Sequence, residues 1–390
     1  MDLLLAAFSL GCDYMKLFHI SDLHLGKRVY EFSMLEEQKE LLMQIIGKIR
    51  KEKPKVLLIT GDIYDKPIPP IEAIRLLDDF LTEVSSLGVH TYLIAGNHDS
   101  AQRLEFGKDL MAKSGVFFCG NISKTIVSYQ ELDEYGELNL YVLPYFKPAH
   151  VNGLFGEEIE SDQEAADFLL KQIKLDPTKR NIILVHQFVT WRGEAERSDS
   201  EIISLGGTEE IDASLFFDFD YAALGHLHSP QKMGKDTVRY AGSLMPYSFS
   251  EIRQKKGITV VELKEKGEIV FDFIPLQTKH TFREIQGPLQ GILEAAMEDG
   301  KTDDYIRCIL TDRDALYDPI GKLRGVYPNL MTLEFQQQEV QTQQKFFFDA
   351  EESSPDALFS LFFEKQNQKE LNETQKVLLY KIWKELEEGK

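Results

Sequence analysis

The chain has 390 residues, 43% hydrophobic and 28% charged, with a formal net charge of −20. This composition excludes global disorder and a single small core, and suits two or three folded units. The negative balance argues against a protein that coats nucleic acid non-specifically, while leaving phosphate binding open to a bound cation, a local basic patch or a basic partner.

In chain order, "MDLLLAAFSLGC" has the look of a short signal segment. Asp2 stands where a basic residue belongs, and the residues before Cys12 make a poor lipoprotein cleavage box. Residues 1–14 therefore read as an N-terminal extension, with Met15 as the expected natural start. Cys12, Cys119 and Cys308 are far apart and odd in number, so they suggest neither a disulfide framework nor a zinc pattern. A reducing cytoplasm fits this usage. No later stretch is apolar over a membrane-spanning length.

From Met15 onward, apolar β-branched runs recur: "KLFHI", "KVLLIT", "HTYLIAG", "GVFFCG", "LNLYVLPY", "NIILVH", "YAALG" and "VRYAG". Such runs suit buried strands. Helical patterns lie between several of them, as in "MLEEQKELLMQIIGKIRKEK" and "IEAIRLLDDFLTEVSSLG", the second closed by Gly88. Alternation of this kind predicts an α/β domain with covered sheets. "GITVVELKEKGEIVFDFIPL" predicts a hairpin turning at Lys266–Gly267. After Gln277, a small α+β unit is predicted from "FREIQG", "LQGILEAAMED", "YIRCILTD", "DPIGKLRGVYP" and "LMTLEFQ". A Gln-rich stretch and two amphipathic helices follow. The expected division is 15–277 for the main domain, 278–336 for a cap, 337–349 for a linker and 350–390 for a helical tail.

Metal-type ligands follow five of the buried runs. "HISDLHLG" offers Asp22 and His24, and "LLITGDIYD" offers Asp62. "LIAGNHD" offers Asn97 and His98, "ILVHQF" offers His186, and "LGHLH" offers His226 and His228. Loops beyond the carboxyl ends of strands converge in open α/β sheets, so these groups can share one site. Taken singly, each has a bland alternative: a "GD" is usually a turn, and a buried His is usually a satisfied core residue. The bland alternatives do not account for five of nine histidines falling at strand ends beside Asp or Asn. Imidazole, carboxylate and amide oxygen without thiolate suit manganese, iron or zinc over calcium. Asp62, between strand ends, is the natural bridge of a two-metal centre, which activates water and stabilises a phosphoryl group. Asn97 can give its amide oxygen to a metal. His98 is free to face the substrate and assist the leaving oxygen, and Asp99 can orient His98 or hold the turn.

In this order, "DLH", "GDIYD", "GNHD", "VH" and "GHLH" resemble the calcineurin-like metallophosphoesterases over Met15–Leu276. "ISDLHLGK", "GGTEEIDASLFFDFDYAALGHLH" and "AGSLMPYSFSE" resemble one branch of that family, the SbcD subunits of bacterial SbcCD nucleases. The resemblance implies a four-layer αββα sandwich with a DNA-facing cap and an SbcC-type ATPase partner with a long coiled coil. It also implies a homodimer within a heterotetramer, cytoplasmic, working in DNA repair, recombination and replication. Manganese-dependent cleavage is implied, as a 3′–5′ exonuclease on duplex ends and an endonuclease on single strands and hairpins. By the same resemblance one metal takes Asp22, His24, Asp62 and His228, and the other Asp62, Asn97, His186 and His226, with His98 the catalytic non-ligand. Relatives often carry a histidine where Asp65 stands. A cationic phosphate contact is then absent or supplied elsewhere, by Arg103 or Lys66. The competing expectations are a nucleotidase or other phosphatase on the same centre, and a scaffold with a vestigial site, for which a broken ligand set would be the mark.

In the tail, Leu358, Leu361 and Phe362, and then Val377, Leu378, Ile382 and Trp383, recur at helical spacing. They are expected to dock on the partner ATPase. DNA affinity is expected to rest on the metals and on cap residues such as Lys322 and Arg324.

Overall fold

The computed structural model describes residues 14–201, 209–336, 359–360, 362–364 and 369–388. Residues 1–13, with Cys12 and nearly all of the expected N-terminal extension, and the docking residues Leu358 and Leu361 lie outside the described residues.

Twelve strands build two sheets. They are β1 (Met15–Ile20), β2 (Val56–Thr60), β3 (His90–Ile94), β4 (Val116–Cys119), β5 (Val127–Asp133), β6 (Gly136–Leu143), β7 (Arg180–His186), β8 (Tyr221–Gly225), β9 (Gln231–Met233), β10 (Lys235–Tyr240), β11 (Gly257–Leu263) and β12 (Ile269–Pro275). The first sheet has the order β12-β11-β1-β2-β3-β4, and the second β9-β10-β8-β7-β6-β5. In the first, β1 to β4 are mutually parallel, and β11 and β12 close one edge antiparallel. In the second, β10, β8, β7 and β6 are parallel, with β9 and β5 antiparallel at the edges. Chemistry follows position. The central strands β2, β7 and β8 are buried along their whole length, as all-apolar runs require, whereas edge strand β5 alternates between half-buried and exposed residues.

Between the sheets, Leu17, Val56, Leu58, Tyr92 and Ile94 pack against Leu140, Ile182, Leu184, Tyr221 and Ala223. Helices α1 (Leu35–Glu52) and α2 (Ile71–Ser86) cover the outer face of the first sheet. Helix α1 turns Leu41, Leu42, Ile45 and Ile49 inward at the helical period, onto Phe18, Ile20, Leu57 and Ile59. Helices α3 (Pro148–Phe155) and α4 (Asp162–Leu170) cover the second sheet through Val151, Ala165, Ala166 and Leu169. The result is the four-layer αββα sandwich. Gly267, in the left-handed region at φ +86°, turns the β11–β12 hairpin.

Strands β13 (Phe282–Gly287), β14 (Tyr305–Leu310) and β15 (Leu330–Phe335) form a separate sheet, all parallel. They alternate with α5 (Leu289–Ala296) and α6 (Pro319–Val326), which pack Leu289, Ile292 and Leu323 onto Ile306, Cys308 and Leu310. This unit seats on α1. Glu37 accepts the Lys279 backbone N–H at 2.7 Å and lies 2.5 Å from His280 Nδ1, while Phe282 meets Phe249 with ring centroids 5.4 Å apart.

A second unit follows, described at residues 359–360, 362–364 and 369–388, and the expected linker, 337–349, lies outside the described residues. Its helix α7 (Glu373–Glu388) opens on a reciprocal cap. Asn372 Oδ1 accepts the Gln375 N–H, and Gln375 Oε1 accepts the Asn372 N–H, each at 2.9 Å.

Candidate metal centre

The residues after β1, β2, β3, β7 and β8 meet at one end of the sandwich. The local backbone is forced there. Asp22, His24 and Asp62 all have φ between 43° and 51°, and His226 has φ 113°. Non-glycine residues hold such angles only where surrounding structure over-determines them, and such residues cluster at functional sites.

Each "Gly-ligand" pair has a steric reason. A Cβ on Gly61 would overlap the His186 ring, and one on Gly225 would overlap the Thr60 carbonyl oxygen and Ser21 Oγ. Those neighbours belong to the opposite sheet, so the two glycines let the sheets touch where the ligands emerge. A Cβ on Gly96 would overlap Asp62 itself.

Asp62 occupies the middle. Its Oδ2 lies 3.5 Å from His186 Nε2, 3.7 Å from His24 Nε2 and 4.0 Å from His98 Nε2. Its Oδ1 accepts the backbone N–H of His98 at 2.9 Å. On one side, His24 Nε2 faces His228 Nε2 at 3.1 Å, and Asp22 has a carboxylate oxygen within 4.8 Å of both rings. On the other, Asn97 Oδ1 lies 3.1 Å from His186 Nε2 and 3.0 Å from His226 Nδ1. Asp22, Asp62 and His186 also converge within 4.8 Å, as do His24, Asp62 and His98.

These donors fit a pair of divalent cations. Imidazole nitrogens and carboxylate and amide oxygens, with no thiolate among them, all point at the same small volume. His186 donates its Nδ1–H to the Thr60 carbonyl at 2.8 Å, which leaves Nε2 toward the centre. Burial holds His24 well below its usual pKa and His226 down to about 3, so both are neutral and carry a free lone pair. Burial also opposes charging of His186, but the adjacent Asp62 carboxylate outweighs it and pushes the imidazole up to about 9. Asp62 is itself held well below the carboxylate range, against its own burial, by His186. That buried pair leaves a proton where a cation would compete for the same nitrogen.

The neighbours divide their work. Asp99 accepts backbone N–H groups from Gly96, Ile63 and Tyr64 at 2.9 to 3.0 Å, so it clasps the β2 and β3 turns together. Burial, and then Asp62, push Asp99 up to about 7. His98 is oriented by Asp65 instead: its Nδ1–H donates to the Asp65 carbonyl at 2.9 Å. The Asp65 carboxylate pairs with Lys27 at 2.6 Å and stands 3.7 Å from His24 Nδ1. Lys66 is exposed, and Arg103, also exposed, lines an apolar groove with Tyr64, Leu77, Phe106 and Leu110. A polar cavity of 210 Å³ opens beside Asn97 and His226, walled by Tyr145, Lys147 and Phe188.

Sequence reasoning did not single out Lys27, Ser200 or Glu251. No strand end or ligand spacing marks them. The signals were "ISDLHLGK", which ends on Lys27, and "AGSLMPYSFSE", which ends on Glu251, and neither says what those residues touch.

Residues 15–230 match the calcineurin-like phosphoesterases, and residues 278–367 match a family described as the type 5 capsule protein repressor C-terminal domain. The SbcD subunit of the SbcCD nuclease of Staphylococcus epidermidis is 32% identical over 324 residues, covering 82% of this chain and 85% of that one. Its counterpart of the same name from Staphylococcus saprophyticus subsp. saprophyticus is 31% identical over 323 residues, covering 82% and 84%. The chain belongs to the calcineurin-like phosphoesterase family, within the group of SbcD nuclease subunits.

Proposed function

We propose that the chain is the nuclease subunit of an SbcCD-type complex, a two-metal phosphodiesterase acting on DNA. The observation that carries this reading is Asp62, buried between His24 and His186 at the meeting of the strand ends. In this reading Asp22, His24, Asp62 and His228 hold one ion, and Asp62, Asn97, His186 and His226 the other. Mixed nitrogen and oxygen donors without thiolate suit manganese, iron or zinc, and of these manganese is the one the family resemblance implies. Bound there, the ions supply an activated water and positive charge against the phosphoryl oxygens.

The chain's own groups do the rest. His98, its Nδ1–H held by the Asp65 carbonyl, would carry a second proton on Nε2 as imidazolium and pass that proton to the leaving oxygen. Asp99 keeps the two turns in register. Lys27 neutralises Asp65 beside His24. Lys147 lines the polar cavity but is paired there with Glu209 at 3.7 Å, with Asp162 on the same wall, so a phosphate would have to displace that pair.

The finer reading is 3′–5′ exonuclease action on duplex ends and endonuclease action on single strands and hairpins, in the cytoplasm, with an SbcC-type ATPase. No described helix is long and apolar enough to cross a membrane. The parallel sheet of β13 to β15 would form the DNA-facing cap. A homodimer is supported by the apolar groove that Ile74, Phe106 and Leu110 line, which are 44, 84 and 71% exposed. The test is digestion of blunt, hairpin and single-stranded DNA by the purified chain, in manganese or magnesium, with and without the ATPase. Hydrolysis of small phosphate monoesters with no cleavage of any DNA would return the chain to the phosphatases.

A further inference from the structure

Glu251 is fully buried in a cluster of polar groups beside His228, its Oε1 3.5 Å from the ring Nδ1. Its Oε2 pairs with Lys256 Nζ at 2.6 Å, and its Oε1 accepts the Ser248 hydroxyl at 3.0 Å and the Tyr247 N–H at 3.2 Å. Lys256 also donates to the His228 carbonyl and to Ser243 Oγ, both at 2.8 Å. So many buried contacts on one carboxylate are costly to assemble and rigid once made.

One partner comes from elsewhere. The Ser200 hydroxyl donates to Glu251 Oε1 at 2.5 Å and lies 2.8 Å from His228 Nδ1. The hydroxyl has one proton, and the carboxylate takes it, so Ser200 Oγ must accept from the ring. His228 is thereby fixed with a proton on Nδ1, which turns Nε2, the atom that faces His24 Nε2, toward the metal position. The next residue, Glu201, accepts the His228 backbone N–H at 2.7 Å and the Ser198 N–H at 3.0 Å. The stretch is pinned further by Asp199 N–H to Ser250 Oγ at 3.0 Å and by Gln254 to Ser198 Oγ at 3.2 Å.

We propose that Glu251, acting through the Ser200 hydroxyl, is a positioning residue that sets the ring orientation and tautomer of His228. It thereby sets the affinity of one of the two metal positions. The inference rests on the two-metal reading above. The acceptor that fixes the ring, Ser200 Oγ, comes from a stretch that carries none of the ligands, so the ion served by His228 depends on that stretch, whereas the ion on the His186 side does not.

The test is manganese binding by the full chain, followed by calorimetry and electron paramagnetic resonance, with Ser200→Ala, Ser200→Thr and Glu251→Gln. Ser200→Ala leaves the Glu251–Lys256 pair intact, so the metal-free variant should melt with the wild type. Its affinity should fall by roughly 10–100-fold at one position only, replacing the spectrum of a coupled pair by that of isolated manganese. Ser200→Thr keeps the hydroxyl and should restore the pair. Glu251→Gln should repeat the defect, and if it fails to fold, the two serine variants decide alone. Equal affinity at both positions in Ser200→Ala overturns the proposal, as does a threonine variant as weak as the alanine. A wild-type chain that binds no pair of ions would instead overturn the two-metal reading itself, an outcome the wild-type titration shows before any variant is made.

Discussion

His24 and His228, 204 residues apart in the chain, face each other Nε2 to Nε2 at 3.1 Å. The Ser200 hydroxyl accepts the Nδ1–H of His228, so its Nε2 is left to whatever cation, proton or metal, lies between the two rings. Two buried imidazoles gain little from such a meeting unless a cation shares them. Asp62, 3.7 Å from His24, then links this side to the His186 side.

Asp62→Ala should therefore empty both positions together. Metal analysis of the purified variant should show loss of both ions, and hydrolysis of a small phosphodiester in manganese should fall to background. Retention of a wild-type rate would remove Asp62 from the bridging position.

His98→Ala should separate binding from chemistry. Bound metal should stay near the wild-type level while the rate drops on the order of 10²–10⁴-fold, the usual worth of a positioned acid or base. His24, Asp62 and His98 also lie close enough to share an ion. Loss of metal in the variant would therefore make His98 a ligand.

Gly225→Ala places a methyl group against the Thr60 carbonyl and Ser21 Oγ. The expected cost is about 3 kcal/mol or more of unfolding free energy, at the upper end for overpacking. It is read as a lower denaturant midpoint with metal removed. An unshifted midpoint would mean that the sheets can part at this end.

With −20 overall, the isolated chain should bind duplex weakly and with a shallow salt slope. Lys322 and Arg324 are exposed on α6, with Lys322 5.9 Å from the Tyr317 ring centre. Replacing both by alanine should weaken binding for all sequences alike and reduce the slope by roughly 1 per lost phosphate contact. An unchanged slope would move the DNA path off the cap.

In helix α7, Val377, Leu378 and Ile382 are 67, 58 and 45% exposed, and in the same C-terminal unit Phe362 is 60% exposed. Trp383 is half-buried, and its indole N–H has no hydrogen-bond partner. Truncation near residue 349 should leave manganese-dependent phosphodiesterase activity but abolish co-purification with the ATPase. Full-affinity capture by the truncated chain would place the contact on another surface.

The strand ends were legible because a buried strand and a metal ligand leave opposite marks in sequence: an apolar run, then His, Asp or Asn. The core strands β1 to β4 and β6 to β8 carry that contrast or the run itself. Edge strand β5, "VSYQELD", did not stand out, since half its residues face solvent. The parallel order of β13 to β15 depends on crossover geometry, which no local pattern records. Asp99 illustrates the limit at the site. Sequence left it two roles, orienting His98 or holding the turn, and only folding shows its carboxylate accepting three backbone N–H groups, as the second role requires. Ser200 and Glu251 were invisible for the same reason: their link is made across 51 residues by folding alone.

Gly61 and Gly225 have a meaning for anyone who would rebuild this centre. They pinch the sandwich at one end, while side chains such as Leu17 and Tyr221 hold it open along its length. The spacing of the ligands is thus borrowed from the thickness of the sandwich at its narrowest point. Grafting the histidines and carboxylates alone onto another double-sheet protein would leave them facing across too wide a gap. A transplant would have to carry the missing side chains too, the two places where the chain has none.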